Sequence, residues 1–200
     1  MNLQEYNKVK DFTYRQYCEY LQNKYGKAVC AYMTPAFNKR NKVTRTNEGL
    51  YCHHIYEDHA IMLSNKNWAQ KNPYEWQLPE NLCYCDLLEH LLLHILICEY
   101  PSSDKNLLED VGIGGVLNFI VPELNDVYSG YESGLAWQCK CHSIIKENKD
   151  VYLELIKRVK KLEGYSGYVE EDIYRSMGAI YGTWSNRQNK KLYEELKKIK

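Results

Sequence analysis

Five of the six histidines fall between His53 and His94. His53 and His54 are adjacent, and His90 and His94 are four residues apart. Imidazole side chains bind divalent cations and carry protons near neutral pH, so a cluster of them suggests metal or acid–base chemistry. Four-residue spacing puts His90 and His94 on one face of a helix, close enough to share a metal. On a strand, adjacent residues point to opposite faces. One of His53 and His54 can then join the helix pair while the other faces elsewhere. An alternative for the helix pair is two hydrogen-bonded core histidines. The zincin pattern is absent, because Leu91 stands where a glutamate would be required.

Three elements must position these rings. Residues 49–56 are β-prone and short, and residues 81–85 form a second short strand candidate. Asp86 and Glu89 then fit a capping box, which predicts a helix start. The run 87–97 is apolar nearly all round, as a buried helix requires. Pro101 marks its exit. Between the strands, Asn65, Asn67, Asn72, Pro73 and Pro79 predict a long connection with a helical turn around Trp68. The first 25 residues read as one helix ending at Gly26, and residues 27–47 as a loop or a short helix plus a basic arm. The last hundred residues read as mostly helical, with an amphipathic stretch at 151–162 and further segments at 170–184 and 190–199. Gly112, Gly114, Gly115 and Pro122 are expected to break helices there, and the glycines do not form a phosphate loop.

The chain has 200 residues, 44% of them apolar, which is enough for a core. Net charge is zero, which argues against a general polyanion binder. The charge is unevenly spread. Residues 1–50 carry a net +5, 51–100 a net −5, 101–150 a net −4 and 151–200 a net +4. Between Lys27 and Arg45 there are five basic residues and no acid. A basic arm beside an acidic, histidine-rich centre suits a phosphodiester and a cation, although a solvated surface with alternating charge is the plainer reading.

Eight cysteines are present. The N-terminus is polar and lacks an apolar leader, and no stretch is long enough to span a membrane. Reduced thiols in a cytoplasm follow as the expectation. The pairs Cys83/Cys85 and Cys139/Cys141 have one intervening residue where zinc pairs usually have two to four, so they fit a structural zinc poorly. His59 and His142 read as packing or surface residues, and Lys157, Arg158, Lys160 and Lys161 as a solvated helix edge.

The order of these features resembles the HNH (ββα-metal) endonuclease superfamily. His53-His54-Ile55 lies on a first strand, Asn81-Leu82 opens a second, and His90 and His94 follow on the helix. The adjacent histidine pair with two helix histidines is most similar to the colicin-type DNases. The likeness covers about a quarter of the chain. It departs from many members in lacking a Lys or Arg after the helix histidine and in lacking flanking Cys pairs.

The resemblance implies an α+β fold, in which a two-stranded ββα-metal core is wrapped by N- and C-terminal helices. The corresponding segments are an N-terminal helix and basic arm at 1–44, a nuclease core at 45–100 and a helical region at 101–200. It further implies that His53, His90 and His94 ligate one divalent cation (Mg, Mn, Ni or Zn). His54 would activate water as general base, and Asn81 would pin the loop between the strands. Arg45 would hold phosphate and Glu48 would orient His54, although their spacing differs from that branch; Glu57 is an alternative supporting carboxylate. The implied substrate is double-stranded DNA, with no membrane partner; a homodimer or a protein partner stays open. Two other readings compete. One is a non-catalytic, zinc-stabilised interaction module, in which an adjacent non-ligating histidine has no purpose. The other is an RNA-directed nuclease.

Overall fold

The computed structural model describes residues 1–162, 172–177 and 189–199. It mixes helices with one two-stranded antiparallel sheet, an α+β arrangement. The N-terminal segment forms two helices instead of one, α1 (Leu3–Val9) and α2 (Tyr14–Tyr25). The reason is local. Thr13 accepts from the Gln16 backbone N–H while the Gln16 side chain reaches back to Thr13, so a new capping box starts there. Gly26 follows α2 at φ +79°, a conformation open to glycine.

Strand β1 (Tyr51–His54) pairs antiparallel with β2 (Leu82–Cys85), His53 opposite Cys83 and His54 opposite Leu82. The connection between them holds the short helix α3 (Lys66–Ala69) around Trp68 and several 3-10 turns. Helix α4 (Leu87–Glu99) follows β2 directly. Asp86 caps it, and the predicted box with Glu89 is closed in both directions. Lys24 of α2 donates to the buried Glu89 carboxylate at 2.6 Å, tying α2 to the start of α4.

Beyond α4, α5 (Ile113–Gly115) runs through a π-helical stretch (Val116–Ile120) into α6 (Val121–Ser129). The break expected at Pro122 is therefore a local widening. Pro122 has no N–H to give to the preceding turn, and the π stretch ends just ahead of it. Helices α7 (Ala136–Ser143), α8 (Lys149–Val159) and α9 (Lys190–Lys197) complete the described chain. The helix expected at 170–184 lies largely outside the described residues.

The sheet separates two apolar clusters, as period-two alternation demands. Cys83 and Cys85 join the main core, which is built around α4 with residues of α1, α2, α6 and α8. Leu82 and Tyr84 join a smaller cluster with Tyr32, Met33, Val43 and Leu50 from the segment before β1. The main core draws on all three segments of the chain, from Met1 to Leu196. On α8, Val151, Tyr152, Leu155, Ile156 and Val159 form the buried stripe, the three-to-four spacing of an amphipathic helix. All eight cysteines are free thiols. Among the described residues no helix is long and apolar enough to cross a membrane.

Candidate metal centre

His53 lies on the β1 face that turns toward α4, and His90 and His94 lie one turn apart on α4. Their ring centroids form a near-equilateral triangle, with separations of 5.2, 5.2 and 4.9 Å. The chain leaves β1 through a 3-10 turn (Ile55–Asp58) that swings Glu57 back beneath His53. One ligand atom from each of His53, Glu57, His90 and His94 lies within 4.8 Å of all the others. Among the described residues this is the one such group. Three imidazoles and a carboxylate are a donor set suited to a single divalent ion.

Hydrogen bonds on the outer side of two rings decide what faces inward. His94 Nδ1 is 3.0 Å from the Gly112 carbonyl. A carbonyl only accepts, so Nδ1 carries the proton and Nε2 presents a lone pair to Glu57, 3.3 Å away. His53 Nε2 is 2.8 Å from the hydroxyl of Tyr14, on α2. That hydroxyl also lies 3.0 Å from the Ile55 carbonyl. With its proton donated to that carbonyl, Tyr14 accepts from His53 Nε2–H, and His53 Nδ1, 3.6 Å from Glu57, is the nitrogen with a free lone pair, the tautomer that a metal between them requires. His53 Nδ1 and His90 Nδ1 are buried and have no hydrogen-bond partner. Lone pairs converging on a carboxylate repel one another unless a cation sits between them. A proton between His94 and Glu57 would relieve that one pair and leave the two buried nitrogens unpaired. The arrangement is the one in which outer hydrogen bonds orient metal-binding imidazoles.

Protonation states agree. Burial pushes His53 down to about 3, against the opposing pull of Glu57. Burial, then the neighbouring charges of His94 and His53, holds His90 well below the usual histidine range. Burial alone would raise Glu57; a hydrogen bond from protonated His94 and the charges of protonated His53 and His94 lower it, so that depression belongs to the state in which protons, and not a metal, neutralise the carboxylate. Neutral imidazoles, which burial favours at His53 and His90, are the form that binds a metal.

The glycines expected only to break a helix have a role beside this group. Gly112 takes φ +83° and supplies the carbonyl that His94 binds. Gly115 lies flat against the ring, where a side chain would strike His94 Cε1 and Nδ1. The His90 ring packs beside Tyr51, whose hydroxyl donates to Glu123 at 2.7 Å. Glu123 in turn binds His142 at 2.8 Å and Gln138 at 2.9 Å, so His142 belongs to the support behind Tyr51. His59 sits between Asp58 and Asp104, away from the four.

The other residues singled out in the sequence divide. His54 points to the opposite sheet face from His53, is fully buried, and is not one of the four. Its Nε2 is 3.2 Å from Gln77 Oε1, and the Tyr32 ring meets it edge-on at 4.5 Å. Asn81 ends the 3-10 turn before β2 and donates to the Glu75 carbonyl at 2.7 Å, which ties down the loop between the strands. Arg45 and Glu48 are brought together with each other and not with His54. They pair with each other at 2.5 and 2.7 Å, and Arg45 also binds the Tyr25 carbonyl and lies over the Tyr84 ring. Glu48 sits three residues past Arg45 on an exposed 3-10 turn, so its carboxylate closes on that guanidinium, and Gln77 contacts His54 in its place. Tyr14, Gln77 and the glycine cradle carried no local signal, since each meets its histidine across 18 to 39 residues. Glu57 had one, its four-residue offset from His53.

No protein family, no curated protein and no solved structure matches this chain.

Proposed function

We propose that the chain is a metal-dependent endonuclease that hydrolyses phosphodiester bonds of DNA, with one divalent cation held by His53, His90, His94 and Glu57. The observation that carries the reading is the convergence of three imidazoles and a carboxylate in which the outer partners of His53 and His94 turn lone pairs inward. It is supported by their placement on a strand, the turn after it and the helix that follows a second strand, the element order of the HNH resemblance. A cation held by these four residues would supply Lewis-acid chemistry to a phosphodiester. His54 is the general base in this reading. Its Nδ1 is buried without a partner and takes a proton from the attacking water. The new P–O bond forms as the P–O3′ bond breaks. The leaving oxygen takes a proton from solvent, giving a 3′-hydroxyl and a 5′-phosphate. Lys39, Arg40 and Lys42 are exposed on the segment that supplies Tyr32, and provide positive charge for the substrate backbone.

A second reading has one observation in its favour. His54 has no solvent-accessible surface, which suits a metal-stabilised interaction module without catalysis. Cleavage of plasmid DNA and of RNA by metal-stripped protein, with and without magnesium, manganese, nickel or zinc, separates the two. Metal-dependent cutting that is lost in His54→Ala, while that variant still folds and binds metal, supports the nuclease. One tightly bound metal and no cutting under any condition overturns it.

A further inference from the structure

We infer that Gln77 is a positioning residue that fixes the tautomer of His54, so that its Nδ1 and not its Nε2 is the proton acceptor. The inference deepens the nuclease reading, but its first test does not depend on that reading.

The assignment follows from donors and acceptors alone. Gln77 is buried, with 1% of its surface exposed. Its Nε2 is 3.1 Å from the Leu63 carbonyl. A carbonyl cannot donate, so the amide NH2 must face Leu63 and Oε1 must face the histidine. His54 Nε2 is 3.2 Å from that oxygen. Amide oxygen only accepts, so His54 carries its proton on Nε2. Its Nδ1 is then an unprotonated nitrogen with a lone pair, buried and without a partner. A buried acceptor left unpaired is destabilising, so its persistence on the residue next to a candidate metal ligand points to a task for it.

The clamp is itself held on both sides. The Gln77 backbone carbonyl accepts from the Tyr32 N–H at 2.8 Å, and the Tyr32 ring packs against the His54 ring. Two residues before Gln77, the Glu75 carbonyl is tied to Asn81. The loop between the strands is thus pinned from Asn81, and Gln77 is the part of it that reaches the histidine. Sequence reasoning gave Glu48 the task of orienting His54. A carboxylate there would also accept from Nε2, but Glu48 is engaged with Arg45.

The test is nitrogen-15 NMR of the imidazole rings in the full-length protein, with the His54 signals assigned by their loss in His54→Ala. The expected wild-type result is one tautomer with the proton on Nε2. Gln77→Glu retains it with the buried carboxyl protonated, its O–H donating to the Leu63 carbonyl and its other oxygen accepting from the ring. Gln77→Ala gives a mixture of tautomers. A wild-type ring protonated at Nδ1 overturns the inference without the need of any variant. So does a Gln77→Ala protein that folds and keeps the Nε2–H form alone. If the chain cleaves DNA, Gln77→Ala lowers kcat by about 100-fold with little change in KM, the scale of a misplaced base, and Gln77→Glu restores most of it. The tautomer result with no cleavage in any protein leaves the clamp standing and removes the nuclease.

Discussion

Gly115 lies directly against the imidazole of His94: a Cβ at that position would come within 2.3 Å of ring atom Cε1. The helix after Gly112 can approach α4 this closely because it presents no side chain there. The approach lets the Gly112 carbonyl take the His94 Nδ1 proton. Gly115→Ala should therefore displace His94 and weaken metal binding by about 10-fold or more, in the range found for residues that orient metal-binding histidines. Titration of metal-stripped protein with cobalt(II), read by its visible absorption, checks this. An unchanged dissociation constant refutes the proposed cradle.

Tyr14 stands in the same relation to His53, from the other side of the group. Tyr14→Phe keeps the ring in the core and removes the hydroxyl that is hydrogen-bonded to His53 Nε2. We expect about a 10-fold loss of metal affinity, with secondary structure by circular dichroism unchanged. Equal affinity in the two proteins would mean that His53 is oriented by packing alone.

Acid should destabilise the metal-free protein well above the usual carboxylate range. His53 is held down to about 3 in the folded state by burial, and His90 is lowered in the same direction. The unfolded chain therefore binds more protons than the folded one as soon as pH falls below the ordinary histidine value. Stability from these groups is fully present above about pH 6.5 and is lost as pH falls toward 3, at about 1.4 kcal/mol per pH unit for each proton. Urea midpoints measured in chelator at pH 7.5, 6 and 5 should fall in that order. The slope should be shallower in His53→Phe. A midpoint independent of pH would count against neutral, buried histidines.

Metal binding should add stability at neutral pH, because an ion that binds only the folded state stabilises it by mass action, and that gain is lost in acid as the ligands protonate. At 100 times the dissociation constant the gain is about 2.7 kcal/mol. A rise in melting temperature with zinc or nickel that is abolished in His90→Ala locates the effect at this group. A rise that survives in the variant places it elsewhere.

In the nuclease proposed above, Lys39 and Arg45 should behave differently as phosphate contacts. Lys39 is exposed, its ammonium lies 5.1 Å over the Tyr32 ring, and that ring touches His54. Arg45 is engaged with Glu48 and with the Tyr25 carbonyl. Lys39→Ala should raise KM for DNA severalfold and reduce the salt dependence of binding by about one counterion. Arg45→Ala should leave cleavage within about twofold of wild type. The reverse ranking in a cleavage assay run at two salt concentrations would restore Arg45 as the phosphate contact.

The features legible in the order of amino acids are those that depend on local periodicity. Four-residue spacing on an apolar run puts His90 and His94 on one face of a buried helix, and Asp86 with Glu89 marks where that helix begins. Strand alternation is enough to turn His53 and His54 to opposite faces. These readings rest on bonds between residues three or four apart, or between strand neighbours, so a short window contains them. What those side chains meet is set by the tertiary fold. Tyr14 reaches His53 across 39 residues, Gln77 reaches His54 across 23, and Gly112 reaches His94 across 18. Glu48 is drawn to Arg45 because that guanidinium is close by, which leaves His54 to a neutral amide. The partners of the histidines are chosen by which segments the core brings together, and core formation depends on apolar area and shape more than on the order of residues in any one window.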